Sequence, residues 1–297
     1  MTYFNMTNCH LCPRRCGADR TKSLGQCHCG DKVYVTRTAL HFWEEPCISG
    51  KNGSGTVFFS GCALGCMFCQ NHEINQKAVG KHLTIKQLAN TFLNLQQQNA
   101  SNINLVTGSH FSPWIAEALS LIKSKLHIPV VWNSSGYDSP EILQMLDGLI
   151  DIYLPDLKFS DSKTGMTYAN CADYFPVAST AINEMFRQVG SLQWNGDLLQ
   201  RGLVVRHLVL PGHRKESMAI LDWLSQSLPQ EQFLLSLMGQ YTPTETAKQD
   251  KYLRRRITTL EYESIRKYAV SLNFNGFSQE RSSANEAFLP EFFTSIE

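Results

Sequence analysis

The stretch "TVFFSGCALGCMFCQN", Thr56 to Asn71, joins a short apolar run to three cysteines, Cys62, Cys66 and Cys69. The run TVFFS has the β-branched and aromatic composition of a buried strand, and it ends directly at a glycine and the first cysteine. The cysteines have the spacing C-x3-C-x2-C, one ligand short of the four that close a structural zinc site. We therefore predict a strand that leads into a site where three thiolates leave one position open.

Six strand-and-helix units follow one another from Gly55 onward. Each unit begins with a short apolar run and continues into a stretch of helical periodicity, which is the pattern of βα repeats in a parallel sheet. Thr84 and Gln87 have the spacing of a capping box at the start of the first helix, and Thr259 marks the start of the last. Successive right-handed βα units predict an α/β fold that curls into a barrel or part of one. The predicted strands are residues 56–60, 103–107, 129–132, 149–154, 202–210 and 233–238.

Polar and glycine-rich residues come directly after every predicted strand. In a barrel of parallel strands the functional site lies at the carboxyl ends of the strands, so these residues are expected to meet at one rim. The three cysteines follow the first strand. The other rim stretches, in strand order, are TGSH, NSSGY, PDLK, PGHRKE and GQYTP.

Composition and charge limit the class of protein. Hydrophobic residues make up 43% of the 297 residues and charged residues 18%, which is typical of a globular chain with a sizeable core. Lys and Arg number 27 against 26 Asp and Glu, which leaves a net charge of +1. This charge is too small for the field that drives non-specific nucleic-acid binding, so nucleic acid is not the expected partner.

The start of the chain and its cysteines indicate the compartment. The first residues, MTYFNMTNCHLCPRR, lack the basic start, apolar stretch and cleavage site of a secretory signal. No window has the roughly 18 uninterrupted apolar residues of a membrane span. We predict a cytoplasmic location, where ten cysteines serve metal or redox chemistry rather than disulfides. Nine of the ten precede residue 70, and Cys171 is expected to be a buried, inert thiol.

A second set of cysteines lies at the front of the chain. Cys9, Cys12, Cys16 and Cys27 have C-x2-C-x3-C-x10-C spacing, and they predict a site that is closed by zinc or by a second iron–sulfur cluster. Free thiols are the third interpretation, because a reducing compartment tolerates them. We predict three parts of the chain: a cysteine-rich metal-binding segment at 1–50, a barrel at 51–245 and a helical extension at 246–297. The further residues whose place stays open are His10, His28, Cys29, Glu44, Glu45 and Cys47.

The triad spacing, with Phe68 just before its third cysteine, resembles the motif of radical S-adenosylmethionine (SAM) enzymes. The likeness extends from Cys9 to about Leu272, and the chain is most similar to the activating enzymes of glycyl radical enzymes, in a branch with a cysteine-rich front. Pyruvate formate-lyase activating enzyme is one member of that family. The stretches that carry the resemblance are EEPCISG, GSGTVFFSGC, CQN, NINLVT, SGY, DIYLPDLK, RHLVLPG and QYTP.

The resemblance implies a partial (β/α)6 barrel in which Cys62, Cys66 and Cys69 hold a [4Fe–4S] cluster. SAM would chelate the fourth iron, and its reductive cleavage would yield a 5′-deoxyadenosyl radical for hydrogen abstraction. The implied enzyme is an oxidoreductase that acts on a protein glycine, with a glycyl radical enzyme as partner and a flavodoxin or ferredoxin-type electron donor. Two alternatives remain: radical modification of a small molecule, peptide or RNA, and a non-catalytic zinc or iron–sulfur protein.

The resemblance also assigns residues to the cofactor. Asp156 and Lys158 alternate at the end of the fourth strand and so share a face, and they match residues that contact polar groups of the cofactor. A structural ion pair is the alternative for these two. Thr107, Gly108 and Ser109 stand where the activating enzymes carry a Gly-Gly-Glu stretch whose backbone receives the amino group of the cofactor.

Two further matches depart from the family pattern. Asn133 and Ser134 match positions near the reacting centre, although asparagine replaces an acid there. Gln240 stands in the place of a histidine, and Arg206 matches a position in a buried strand. For His110, an acid, base or cofactor role and a structural role both remain open. The predicted cofactor-binding residues are thus Phe68, Asn71, Thr107, Gly108, Ser109, Asn133, Ser134, Asp156, Lys158, Arg206 and Gln240.

Overall fold

The computed structural model of the chain describes residues 5–278. Strands and helices alternate from residue 33 onward. The strands are β1 Val33–His41, β2 Ser54–Phe59, β3 Lys81–Leu83, β4 Ile103–Val106, β5 Val130–Ser134, β6 Ile152–Pro155, β7 Gln193–Asn195, β8 Leu198–Leu208, β9 Leu234–Met238 and β10 Gly276–Ser278. The α-helices are α1 Pro46–Ser49, α2 His72–Asn75, α3 Ile85–Gln97, α4 Ser112–Ile122, α5 Pro140–Leu146, α6 Ser162–Ala169, α7 Tyr174–Val189, α8 Arg214–Ser227 and α9 Thr259–Ser271.

Six parallel strands form the centre of one sheet. β2, β4, β5, β6, β8 and β9 lie side by side in chain order, each paired in parallel with the next. Helices on the outer face connect them, as right-handed crossovers require. The predicted partial barrel is confirmed, and all six predicted strands are present.

Burial explains why these strands could be read from the sequence. Every residue of β2, β4, β5 and β6 is buried, because one face points into the barrel and the other lies under helices. Leu88 and Phe92 of α3 are fully buried against the sheet. The Thr84–Gln87 capping box at the start of α3 is confirmed, with both of its reciprocal hydrogen bonds.

Additional strands flank the parallel core. β1 pairs antiparallel with β2, and β3 pairs with β1. At the opposite edge β10 pairs in parallel with β9. β8 begins at Leu198, before the predicted start at residue 202, because β7 forms an antiparallel hairpin with its first residues.

The helix α1 closes the barrel at the amino ends of the parallel strands. Cys47 and Ile48 pack there with residues from β5, β6, β8 and β9. Asn102, just before β4, donates its side-chain amide to the Ile48 carbonyl at 2.7 Å, and Ser101 donates to the Ser49 carbonyl at 2.9 Å. Because α1 lies inside the barrel end, we call it the plug.

The proposed division into three parts stays a prediction. Residues 5–32 contain no helix or strand, whereas β1 and the plug belong to the barrel sheet and its lumen. Toward the other end, α9 packs against α8, and β10 extends the sheet. Within residues 5–278, none of the helices combines the length and apolar character that crossing a bilayer requires.

Candidate functional site

A cavity of about 330 Å³ opens at the carboxyl ends of the parallel strands. Side chains from the cysteine loop and from the ends of β4, β5, β6, β8 and β9 line it. Of the predicted cofactor-binding residues and the three cluster cysteines, Gly108 and Ser109 do not line it. Those that do are Cys62, Cys66, Phe68, Cys69, Asn71, Thr107, Asn133, Ser134, Asp156, Lys158, Arg206 and Gln240.

The cysteine loop is shaped by two glycines and by contacts to its sulfurs. Gly61 and Gly65 adopt φ values of 81° and 74°, which side-chain-bearing residues rarely take. The Leu64 amide points at the Cys62 sulfur at 3.4 Å, and the Asn75 side-chain amide donates to the Cys69 sulfur at 3.0 Å. These donors face the sulfurs that the sequence assigned as ligands.

Phe68 anchors the loop to the barrel. Its ring is 7% exposed and meets Phe159 and Tyr241 edge-on, with centroids 5.9 and 6.3 Å away. The Met67 amide donates to the Tyr168 carbonyl at 2.9 Å, which ties the same turn to α6. The Phe68 ring therefore holds the cysteine loop against the barrel, and it also lines the cavity.

The chemistry of the three thiols fits an iron–sulfur cluster. Burial raises the pKa of Cys62 and Cys66 and raises that of Cys69 to about 11, while the Lys158 ammonium acts in the opposite direction on all three. Thiolates are the usual ligands of such clusters, and three of them leave one iron of a four-iron cluster open. The donor set fits a [4Fe–4S] cluster with one open corner.

A buried network of charges forms the other wall of the cavity. Asp156 pairs with the Lys158 ammonium, and the Arg206 Nε donates to Asp156 Oδ1 at 2.9 Å. Although burial opposes it, the charges of Lys158 and Arg206 hold the pKa of Asp156 below its usual value. Arg206 also donates to the Asn133 side-chain oxygen. The structure thus brings together four predicted residues as one hydrogen-bonded group.

Glu44 completes this network and was not predicted as a site residue. Arg206 Nη1 donates to Glu44 Oε2 at 3.2 Å, and the Asn104 amide donates to Glu44 Oε1 at 3.1 Å. Burial raises the pKa of Glu44 to about 7, against the opposing charge of Arg206. Glu44 stands two residues before the plug, and its side chain lines the cavity. The only sign of Glu44 in the sequence was the EEPCISG stretch, and this stretch did not indicate whether the Glu44 side chain faces the cavity.

The stretch after β4 divides between the cavity and the core. Thr107 lines the cavity with φ 60°, an uncommon conformation for a β-branched residue and one that is found at functional sites. Gly108 packs against Trp132 and Ile115, where a Cβ would come within 2.8 Å of the Ile115 side chain. Ser109 donates its hydroxyl to buried Asp138. The cofactor role of Gly108 and Ser109 therefore stays a prediction for their backbone alone.

His110 lies behind the site. It is 1% exposed and does not line the cavity, and its Nε2 is 2.7 Å from the Ser60 carbonyl oxygen, to which it donates. Burial lowers its pKa, so the ring is neutral at physiological pH. Of the two roles that the sequence left open, this geometry supports the structural one.

The cysteine-rich front segment, residues 5–32, packs directly on the cysteine loop. The Cys62 amide donates to the Cys27 carbonyl at 3.2 Å, and Arg14 Nε donates to the Ala63 carbonyl at 2.8 Å. Arg14 also donates to the Ala169 carbonyl at 3.0 Å, so it joins the loop to α6. Sequence reasoning missed Arg14, because backbone acceptors leave no trace in a motif.

A pair of glycines offers a test of this packing. A Cβ on Gly61 would stand 2.5 Å from the Cys29 sulfur and closer still to the Cys27 carbonyl oxygen, whereas a Cβ on Gly65 would meet nothing within 4 Å. Both have positive φ, so both Ala variants carry a similar backbone strain of about 1–2 kcal/mol. We expect Gly61→Ala to lower the free energy of unfolding by at least about 2 kcal/mol more than Gly65→Ala, as measured by denaturant unfolding. Equal losses of unfolding free energy in the two variants would show that the front segment does not pack tightly against the cysteine loop.

Comparison with known proteins adds family information to this geometry. The family model described as the radical SAM superfamily matches residues 56–224. An uncharacterised protein of Methanocaldococcus jannaschii is 29% identical over 276 residues, which are 90% of this chain and 76% of the relative.

Two solved structures share the fold at low sequence identity. A radical SAM methyltransferase from Sphaerobacter thermophilus superposes with a TM-score of 0.51 at 13% identity, over 76% of this chain and 66% of that one. Streptococcus suis SuiB bound to its precursor peptide SuiA superposes with a TM-score of 0.53 at 12% identity, over 74% and 46%. The chain thus spans about two thirds of the methyltransferase and less than half of SuiB.

Proposed function

The chain belongs to the radical SAM superfamily, and from this membership we propose that Cys62, Cys66 and Cys69 hold a [4Fe–4S] cluster at which SAM is cleaved reductively. When bound, these groups supply a 5′-deoxyadenosyl radical that takes a hydrogen atom from the substrate. The observation that carries the proposal is that the thiols of Cys62, Cys66 and Cys69 line the same cavity as the Asp156–Lys158–Arg206 network.

Each group of residues has a defined task in this proposal. The three thiolates hold the cluster, and the Leu64 and Asn75 N–H groups stabilise charge on two of the sulfurs. Asp156 and Lys158 present one negative and one positive group to the amino and carboxylate ends of SAM. Arg206 keeps Asp156 in place, and Glu44 in turn holds Arg206.

Exclusion of water is the further task of the protein. The plug closes the amino end of the barrel, and Phe58 and Val106 form an apolar patch on the cavity wall. A radical that abstracts hydrogen reacts with whatever lies beside it, so the cavity must present only the substrate. Asp156, Lys158, Arg206 and Glu44 hold one another through ion pairs, which limits the mobility of these side chains.

We further propose that the substrate is a glycine in a partner protein, as for the activating enzymes of glycyl radical enzymes. The support is the sequence likeness from Cys9 to about Leu272, together with the match of the Asp156, Lys158 and Arg206 positions. The expected electron donor is a flavodoxin or ferredoxin-type protein. The radical SAM fold by itself serves several substrate classes, so it does not decide between them.

The experiment that tests the substrate class uses reduced, anaerobic protein with SAM and a candidate glycyl radical enzyme from the same source. An activase is expected to produce 5′-deoxyadenosine together with a glycine-centred electron paramagnetic resonance signal on the partner. Formation of 5′-deoxyadenosine without that signal, but with conversion of an added small molecule, peptide or RNA, would assign one of those substrate classes instead. Protein that contains the cluster and still cleaves no SAM would favour a non-catalytic role.

A further inference from the structure

We propose that Cys9, Cys12, Cys16 and Cys27 of the front segment hold a second iron–sulfur cluster, next to the site of the first. The proposal does not depend on the substrate class, nor on SAM cleavage in the barrel. It rests on the thiols of the front segment, on one buried arginine and on the way this segment holds its shape.

The front segment has no ordinary means of holding its shape. Residues 5–32 contain no helix or strand, and their buried apolar side chains are Leu11 and four of the five cysteines, all except Cys16. Short backbone turns order the chain instead: the Gly17 amide donates to the Cys9 carbonyl at 3.0 Å, and the Arg15 amide donates to the Cys12 carbonyl at 3.0 Å. A segment of this size with so few apolar side chains and no secondary structure of its own is commonly stabilised by a metal or a covalent link. All of its cysteines are free thiols.

Four of the thiols converge on one place. The Cys16 and Cys27 sulfurs both lie within 3.5 Å of the point where a Cβ on Gly25 would stand. Cys12 is close enough to Cys9, Cys16 and Cys27 to interact with all three electrostatically. The fifth cysteine, Cys29, lies beside Cys27 and also donates its thiol to the Ser60 carbonyl of the barrel at 3.2 Å. Because Cys29 has this barrel partner, we take Cys9, Cys12, Cys16 and Cys27 as the ligands.

Arg20 is the independent sign of negative charge at this place. Its side chain is buried at 2% exposure, and it donates to the Gly30 and His110 carbonyls and lies 3.9 Å from the Cys9 sulfur. Within residues 5–278, no carboxylate forms a salt bridge with it. A buried cation without a counter-charge is strongly unfavourable. Metal-bound thiolates would supply that charge. The Arg20 Cδ lies 3.8 Å from the point where a Cβ on Gly25 would stand, the same point that the Cys16 and Cys27 sulfurs approach.

The donor chemistry and the neighbouring site favour a cluster over zinc. Both cysteine sets are all-thiolate donor sets, and the Cys62 amide donates to the Cys27 carbonyl at 3.2 Å, so the two sets are neighbours. For the barrel set, superfamily membership implies a cluster. The same donor chemistry beside it assigns the same class of centre to the front segment.

Metal and sulfide analysis of the full-length protein tests the proposal. Anaerobically purified wild type is expected to contain about six to eight iron and as many sulfide per chain, against about four for one cubane. A Cys62/Cys66/Cys69→Ala variant should lose about four iron and keep the rest, and a Cys12/Cys16→Ser variant should keep about four. Cys171→Ala, which removes a buried thiol outside both sets, is the matched control and should match the wild type.

Two outcomes would overturn the proposal, and neither depends on a variant that must fold. About four iron and one zinc per wild-type chain would assign zinc to the front segment. About four iron without zinc would leave the front thiols free. Retention of about two to four iron by the Cys62/Cys66/Cys69→Ala variant supports the front cluster even where SAM cleavage fails, so the two proposals are separable.

Discussion

Replacing Cys66 by alanine is expected to abolish conversion of SAM to 5′-deoxyadenosine. Cys66 is 8% exposed, lines the cavity, and lies in the middle of the triad between Cys62 and Cys69. With two thiolates left, a four-iron cube would lack both its third anchor and a defined open corner. We expect turnover of reduced, reconstituted protein to fall by at least about a thousandfold, measured by chromatography of 5′-deoxyadenosine, because loss of a cofactor removes the chemistry outright.

The matched control is Cys171→Ala. Cys171 is also a buried thiol, but its sulfur lies 3.3 Å from Asp173 and outside the cavity. This variant should keep near-wild-type turnover and iron content. Full turnover by Cys66→Ala would show that this residue is not a cluster ligand and would remove the basis of the proposed site.

Replacing Asp156 by alanine is expected to weaken both SAM binding and folding. Asp156 accepts from Lys158 and Arg206, and all three side chains are less than 20% exposed. Removing one partner of a buried charge network costs about 3–5 kcal/mol of unfolding free energy. If Asp156 also contacts SAM through a charge-assisted hydrogen bond, the KM for SAM should rise about tenfold or more, with iron content unchanged.

A distant ion pair separates the two roles of Asp156. Glu261 accepts from Arg255 and caps α9, and neither residue lines the cavity, so Glu261→Gln should lose stability without affecting the KM. Equilibrium unfolding and steady-state kinetics of both variants are the measurements. If Asp156→Ala loses stability but keeps the wild-type KM, the pair with Lys158 is only structural.

The parallel core could be predicted because its strands leave a strong pattern in the sequence. Strands that are buried on both faces are nearly continuous apolar runs, such as the one that contains Val204 and Val205. The position of the site at one rim of the barrel could be predicted from the topology alone, since all parallel strands point their carboxyl ends to the same side. Most predicted site residues line the cavity for this reason.

What the sequence could not provide is contact between distant segments. β1 is half-exposed along much of its length, and its mixed pattern gives no clear period, so it was not predicted as a strand. Glu44 reaches Arg206 across 162 positions of the chain, and no local pattern reports such a distance. Gly108 was assigned by its place in a motif, whereas the structure shows it against Trp132.

The plug has a consequence for how the chain is made. α1 ends at Ser49, yet it packs against β8, which is complete only at Leu208. On the ribosome, these early residues emerge long before the strands that will enclose them, and contacts of such long range form slowly. The helix that closes the amino end of the barrel is therefore synthesised well before the strand that it packs against, and this contact has to wait until that strand has emerged. Until β8 is in place, the apolar face of α1 has to be kept from contact with other chains.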